Sequence, residues 1–465
     1  MQVGNALRLD WRQVIPTDKC SFILGNPPFV GKHLMTGEQG IDMELVWGKT
    51  PGSGFLDYVT AWYRKAAEYI QGTPIRVAFV STNSISQGEQ VGALWMPLFQ
   101  RFHPKIHFAH RTFPWESEAR GKAHVHVVII GFGAFDRPGK RIYDYHDNGD
   151  KVLVTDAKNI SPYLIEGSDT AVVSRGKTIS EVPDCCYGSK PTDGGHLIVE
   201  EADRPEFLKE NPEAKRYIRP LLCAEEYLHS IPRWCLWLVD ASPADIRAIP
   251  GIKQRVEAVR EFRLASKKGP TREMANQPAL FAEIRQPKSR FLVVPQHTSQ
   301  TRRYVLFGYF SPNHIVHNSC SAVPGASLFH FGVLSSEMHM AWVRTVCGRI
   351  KSDYRYSTNL VYNNYPWPPV TRDTQRAAVE AAAQAVLDAR AQFPTATLAD
   401  LYDPLTMPKA LLEAHQELDR AVDRCYRPEP FTSDRQRVEY LFALYEQLTA
   451  PLVAAAKTKK RRVKP

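Results

Sequence analysis

The tetrad Asn26-Pro27-Pro28-Phe29 is the stretch of this sequence whose residue types and order could carry a reaction. It follows a short apolar run, Phe22-Ile23-Leu24, and a glycine, Gly25. An X-Pro step excludes the helical region for the residue before it, so Asn26 and Pro27 are held extended. The amide oxygen of Asn26 and the carbonyl of Pro27 then project beyond the strand as two acceptors, and Phe29 offers a π face for an extruded base. Two such acceptors suit the exocyclic amine of adenine, a poor nucleophile because its lone pair is delocalised into the ring. Accepting its two N–H groups localises that lone pair for attack on a methyl donor. No metal and no strong general base is required. The competing reading is an Asn-Pro turn that ends a strand. The position at the C-terminal end of a strand, where open sheets bind ligands, favours chemistry.

Metal chemistry finds no support in the ligand spacing. The cysteines (Cys20, Cys185, Cys186, Cys223, Cys235, Cys320, Cys347 and Cys425) form no CxxC pair, and adjacent Cys185 and Cys186 make poor chelate geometry. There is no HExxH run among the 15 histidines. The cysteines are expected to be reduced, as in a cytosolic protein.

A sheet must position the tetrad, and residues 1–135 alternate apolar runs with amphipathic stretches in the βαβ pattern of an α/β fold. The spacing predicts a helix over 55–70, a strand over 76–81 and a helix over 91–102. Strands at 106–109 and 123–130 have no helix between them, which predicts a hairpin closing the sheet. Residues 136–190 are polar and predict a connecting segment with a few short strands. Residues 191–370 are mixed, with strand-like runs at 234–239 and 290–295 and a basic helix at 252–265. Residues 371–465 predict helices near 375–392, 408–425 and 433–449, ending in a basic tail.

Composition restricts what such a chain could meet. Of 465 residues 43% are hydrophobic and 23% charged, which excludes disorder and collagen. No window approaches 18 uninterrupted apolar residues and no signal peptide opens the chain, so no membrane association and a cytoplasmic location are expected. The net charge of +10 favours a polyanion. It is concentrated: residues 251–303 hold twelve Lys or Arg against four Glu, and six cations lie in the last nine residues. Lys253, Arg255, Arg260, Arg263, Lys267, Lys268 and Arg272 are candidates for phosphate contact, against the alternative of a solvated helix face. Gln296, Gln300, Arg302 and Arg303 lie between strand-like runs and could read base edges in a groove. Lys351, Tyr354, Arg355 and Tyr356 could anchor the backbone, with buried packing of the two tyrosines as the alternative.

The chain resembles the MmeI-like branch of adenine-N6 DNA methyltransferases from bacterial restriction-modification systems. The resemblance rests on Gly4 to Trp11, Gly25 to Phe29, His110 to Trp115 with Gly121 to Val125, Met338 to Trp342, Gly348 to Ser357, Tyr362 to Pro368 and Leu398 to Met407. It implies a partial Rossmann-like class I methyltransferase sheet, then an α+β target-recognition domain and a C-terminal helical region. It implies S-adenosylmethionine as cofactor, with Asn5 and Asp57 near it, Phe113 and Trp115 around the target base, and double-stranded DNA as partner. In that family the glycine-rich cofactor loop and the ribose-binding acid precede the position of Asn5. Lys49 to Leu56 imitates such a loop but lacks both a good preceding strand and a following acid. The chain is therefore expected to be the C-terminal part of the enzyme, to need an N-terminal methyltransferase or nuclease polypeptide, and not to methylate DNA alone. Phe22-Ile23-Leu24 would then form an open apolar edge. A DNA-binding specificity module without catalysis, and methylation of RNA or of protein amino groups, stay open as alternatives.

Overall fold

The computed structural model describes residues 3–115, 125–146, 151–350, 352–369 and 372–462. Six strands form the first sheet: β1 (Phe22–Gly25), β2 (Arg76–Thr82), β3 (Lys105–Trp115), β4 (Val125–Gly133), β5 (Lys140–His146) and β6 (Lys151–Ala157), in the order β1-β2-β4-β3-β5-β6. β1 and β2 are parallel, with Leu24 opposite Ala78. β3 and β4 make the expected antiparallel hairpin. The sheet continues past residue 135, because β5 runs parallel to β3 and β6 returns beside it.

Four helices accompany it: α1 (Trp11–Val14), α2 (Gly37–Trp47), α3 (Thr60–Tyr69) and α4 (Glu89–Phe102). Val77 and Phe79 alternate inward on β2, as period-two burial requires. Tyr63 of α3 packs on Phe79 and Phe132 at 5.2 and 5.6 Å between ring centroids. The helix expected from residue 55 begins only at Thr60. Gly52 takes φ +83°, Ser53–Phe55 form a 3-10 turn, and Leu56 is extended. Leu56 and Val59 are fully buried in this connection, so the apolar period continues where the backbone is not helical. At the sheet's first edge Phe22 and Leu24 are 61% and 75% exposed, which makes β1 an open apolar edge.

Three smaller sheets follow. Strands β7 (Cys186–Tyr187), β8 (Ile198–Glu200), β9 (Ile218–Leu222), β10 (Arg233–Leu236), β11 (Phe291–Pro295), β12 (His297–Thr298), β13 (Gly308–Phe310), β14 (Ile315–Val316), β15 (Cys320–Pro324), β16 (Gly348–Ile350) and β17 (Asp353–Arg355) pair in the orders β14-β9-β10-β8, β13-β11-β15-β7 and β12-β17-β16. Around them lie α5 (Arg204–Glu210), α6 (Ala224–His229), α7 (Pro243–Ala248), α8 (Pro250–Leu264), α9 (Gly269–Glu273), α10 (Leu328–Leu334) and α11 (Glu337–Val346). Ile252, Val256 and Val259 put one face of α8 into a core with Leu197, Val199 and Cys235. The chain ends in α12 (Asp373–Ala391), α13 (Leu398–Leu401), α14 (Lys409–Tyr426) and α15 (Asp434–Arg462). Among the described residues no helix is long and apolar enough to cross a membrane, and no group of His, Cys, Asp and Glu could hold a metal ion.

Candidate catalytic rim and nucleic-acid interface

Asn26 stands exposed just past β1, Pro27 is buried, Pro28 is exposed and Phe29 half-buried. The Asn26 amide has no hydrogen-bond partner among the described residues. The loop behind it is tightly held. Asp57, 8% exposed, accepts the Lys32 N–H at 2.9 Å on one carboxylate oxygen and the Ser84 hydroxyl at 2.6 Å on the other. Its own N–H donates to Gln90 Oε1 at 3.2 Å, and Tyr58 N–H donates to the Val30 carbonyl at 3.0 Å. Asp57 thus ties the loop after the tetrad to the end of β2 and the start of α4. Asp57→Ala is expected to cost about 2–3 kcal/mol through two lost charge-assisted hydrogen bonds. It should also raise the exchange rate of the Lys32 amide. Urea unfolding with amide exchange checks both, and unchanged Lys32 protection would refute the tie.

Asn5 is likewise engaged within the protein. Its oxygen accepts the Leu7 N–H and its amide donates to Asp42 Oδ2, both at 2.9 Å. Asp42, 2% exposed, also receives Tyr58 Oη–H at 2.7 Å and Arg8 Nε–H at 2.6 Å. Burial pushes the Asp42 carboxyl up, but the hydrogen bonds from Tyr58, Arg8 and Asn5 outweigh it and hold it below its ordinary value. Burial, together with the hydrogen bond to Asp42, pushes the Tyr58 hydroxyl up to about 12. Sequence reasoning missed Asp42, because its partners lie 16, 34 and 37 residues away and no local pattern marks it.

The sheet register brings the aromatic candidates to the same rim. Thr82 at the end of β2 lies opposite Val127 of β4, and Val127 lies opposite Phe113 of β3. Because β3 is antiparallel to β4, its far end points the same way as the end of β1. Phe113 and Trp115 therefore stand on the tetrad's side, three strand spacings away, roughly 14 Å. Phe113 packs against Tyr145 at 4.7 Å and against Trp115 at 6.3 Å between centroids. His110 stacks on Tyr143 at 4.3 Å and its Nδ1 lies 2.6 Å from the Tyr145 hydroxyl, with burial pulling its pKa down. The resemblance at Gly121 to His124 falls outside the described residues.

The basic candidates separate into two groups. Arg263 is 1% exposed, and all five of its N–H groups donate to backbone carbonyls: Nε to Thr192, Nη1 to Met274 and Gln277, Nη2 to Pro191 and Leu280, at 2.7–3.0 Å. The expectation that it meets phosphate gives way to a structural role, since no donor remains for DNA. Half-buried Arg255 is similar: it donates to the His196 and Ile198 carbonyls and stacks over Phe207. Lys267 and Lys268 lie exposed on the turn after α8.

The three-stranded sheet assembles the second group. His297 pairs with Arg355 and Thr298 with Tyr354, which brings Gln296, Gln300 and Arg355 together. Gln300 and Arg355 are exposed. Half-buried Gln296 is held by the Cys320 carbonyl and Ser321 at 3.4 Å. Arg302 is half-buried, and desolvation lowers its pKa. Arg303 is ion-paired with Glu337 at 3.3 Å. Tyr354 and Tyr356 are 4% and 1% exposed, so packing wins over backbone anchoring for both. Lys351 lies outside the described residues. A cleft of about 290 Å³ separates Gln296 and Arg355 from Ser84 and Gln90 beside the candidate catalytic rim. Gln87 and Arg349 line both this cleft and a second one of about 420 Å³ that reaches Arg111 and Thr112 of β3.

Comparison with known proteins agrees with this layout. Residues 1–144 match the MmeI DNA-methyltransferase domain, 166–369 the MmeI target recognition domain, and 370–453 the MmeI C-terminal domain. DNA methyltransferase A of Bacillus subtilis (strain 168) is 36% identical over 451 residues, covering 97% of this chain and 50% of the relative. The type IIL restriction-modification enzyme MmeI, solved in complex with DNA, is 45% identical with a TM-score of 0.90, covering 96% of this chain and 60% of that one. The chain spans about half the length of the curated relative it matches. A methyltransferase sheet, a target-recognition domain and a helical region thus follow one another as expected, and the chain belongs to the MmeI family.

Proposed function

We propose that the chain provides the target-base site and the sequence-reading surface of a site-specific DNA adenine-N6 methyltransferase of a restriction-modification system, working in the cytoplasm. The observation that carries this reading is the unpartnered amide of Asn26 at the end of β1, on a rim that also bears Phe113 and Trp115. An adenine turned out of the duplex would stack on Phe29 and donate its two amine hydrogens to Asn26 Oδ1 and the Pro27 carbonyl. Both acceptors are fixed by the loop that Asp57 secures, so little reorganisation is needed as the amine gains nucleophilicity. Phe113 and Trp115 would close the other side of the pocket.

S-adenosylmethionine, when bound, supplies the electrophilic methyl group. The residues present fit only one part of such a donor. An open cleft of about 560 Å³ runs along β1 to Asn26, Pro27 and Pro28, with no charged side chain in its lining. It suits apolar contact, whereas ribose hydroxyls and a carboxylate need polar partners. Those partners would come from an N-terminal methyltransferase or nuclease polypeptide, whose parallel strand would add to the free edge of β1. Asn5 and Asp57 would shape the donor site from behind, through Asp42 and the tetrad loop.

Labelled S-adenosylmethionine and duplex DNA test this reading, with the N-terminal half supplied as a separate polypeptide. Transfer that needs both polypeptides and is lost in Asn26→Ala supports it; transfer indifferent to Asn26 sinks it. DNA binding with no transfer would instead favour a specificity module. For the reading surface, Lys267→Ala with Lys268→Ala should reduce the log–log salt slope of binding by about 2 without altering sequence preference, as phosphate contacts do. Arg355→Ala should relax preference at a base position. Binding titrations at several salt concentrations separate the two, and an unchanged slope in the lysine variant would exclude those phosphate contacts.

A further inference from the structure

The first turn of α4 touches three things at once. Toward the catalytic loop, Gln90 Oε1 accepts the Asp57 N–H, and Ser84 just before the helix donates to the Asp57 carboxylate. Toward the recognition domain, Gly88 sits against the first residue of β16: a Cβ at Gly88 would lie 2.9 Å from the Cα of Gly348. Gly88 also holds φ +64° as the N-cap, a conformation that side chains disfavour. Toward the first residues of the recognition domain, a Cβ at Gly92 would lie 2.7 Å from the Val172 carbonyl oxygen and 2.9 Å from Val173 Cγ1. Glu89 adds a hydrogen bond of 2.9 Å from the Ser174 hydroxyl.

That opening segment is itself locked to the end of the recognition domain. Asn364, with no exposed surface, donates to the Val173 carbonyl at 3.0 Å and accepts from Arg175 Nε at 2.7 Å. Asn363 donates to the Arg175 carbonyl at 2.8 Å. A contact with so little free space cannot slide by a fraction of an ångström without a clash. The three-stranded sheet carrying Gln300 and Arg355 is therefore held at one fixed distance from the loop carrying Asn26.

We infer that the first turn of α4, through Gly88 and Gly92, is the gauge that sets the spacing between the base pairs read and the base modified. The inference rests on the DNA-methyltransferase reading above. Gly88 and Gly92 are positioning residues: Gly88 lines the cleft between the two surfaces but has no side chain to offer DNA, and Gly92 is packed against Val172 and Val173. Adding a methyl group at either would push the recognition sheet away from the rim and leave the groups on both surfaces intact.

The test uses duplexes selected by the wild-type chain from a random-sequence pool, with 2-aminopurine placed in turn at each position. Wild type should bind with one position bright, marking the base turned out of the stack. Gly88→Ala and Gly92→Ala should bind the same duplex within about threefold, because no DNA-contacting group is altered. Their emission at that position should fall about tenfold or move to a neighbouring position. Gly348→Ala should behave as wild type, since its Cβ would meet Gly88 at an ordinary 3.6 Å. Gly92→Ala carries the test alone if Gly88→Ala does not fold. Wild-type emission in both alanine variants, or affinity falling in step with emission, overturns the gauge. If the wild-type chain selects no sequence or lights no position, the DNA reading fails and the gauge with it.

Discussion

Replacing Arg263 with methionine is expected to destabilise the recognition domain by about 3–4 kcal/mol. The methionine can follow the arginine stem, so the loss is not one of packing volume. It lies in the five carbonyls of Pro191, Thr192, Met274, Gln277 and Leu280, which converge on the buried guanidinium and would lose their donors. These carbonyls come from two separated segments, on either side of α8, so the guanidinium acts as the clamp between them. Arg263→Lys should fare little better, because a compact ammonium with three donors cannot span five acceptors arranged for a planar fork. Denaturant unfolding followed by tryptophan fluorescence reads the effect. Loss of DNA affinity at undiminished stability would show instead that Arg263 works at the surface.

Asn26→Ala should have the largest effect on chemistry and almost none on the fold. The side chain is exposed and has no partner among the described residues, so its removal should change stability by no more than about 0.5 kcal/mol. In the proposed enzyme, with the N-terminal polypeptide supplied, the methyl-transfer rate should fall about 10²–10³-fold, the scale for one lost preorganised hydrogen-bonding group. The acceptor matters most as the amine rehybridises, so kcat should fall while DNA affinity and KM stay close to wild type. Single-turnover transfer beside equilibrium binding distinguishes this from a folding defect. A variant that binds poorly but transfers normally once saturated would assign Asn26 to recognition.

The two predictions mark where the sequence could be read and where it could not. The place of Asn26, exposed just past a short strand, was legible because its signal is local: two X-Pro steps restrict the backbone whatever surrounds them. Arg263 was misread as one more cation on a basic helix. Its position in fact continues the buried stripe of Ile252, Val256 and Val259, a periodic signal that charge counting hid. The hairpin of β3 and β4 followed from two apolar runs with no room for a helix. β5 and β6 did not, since a polar stretch conceals strands whose outer face meets water. The engagement of Asn5 and Asp57 by Asp42, Lys32 and Ser84 depends on contacts across 25 to 37 residues, which local patterns do not encode. The meeting of Gln300 with Asp353, two residues before Arg355, is of the same kind, created by a three-stranded sheet of two- and three-residue strands.

The six-stranded sheet has one further property, which follows from its ends being unlike. β1 closes one side with Phe22 and Leu24 exposed, and β6 closes the other with Val152, Leu153 and Val154 between 46% and 58% exposed. A contact of β1 in one copy with β6 in the next would be head-to-tail, an operation that extends as a row wherever its rotation does not close a ring. Two open edges leave such a row free to add a further copy at each end. A strand laid on β1 by the proposed N-terminal polypeptide would occupy one of the two complementary ends. It would thereby finish the donor site and terminate the row in the same step.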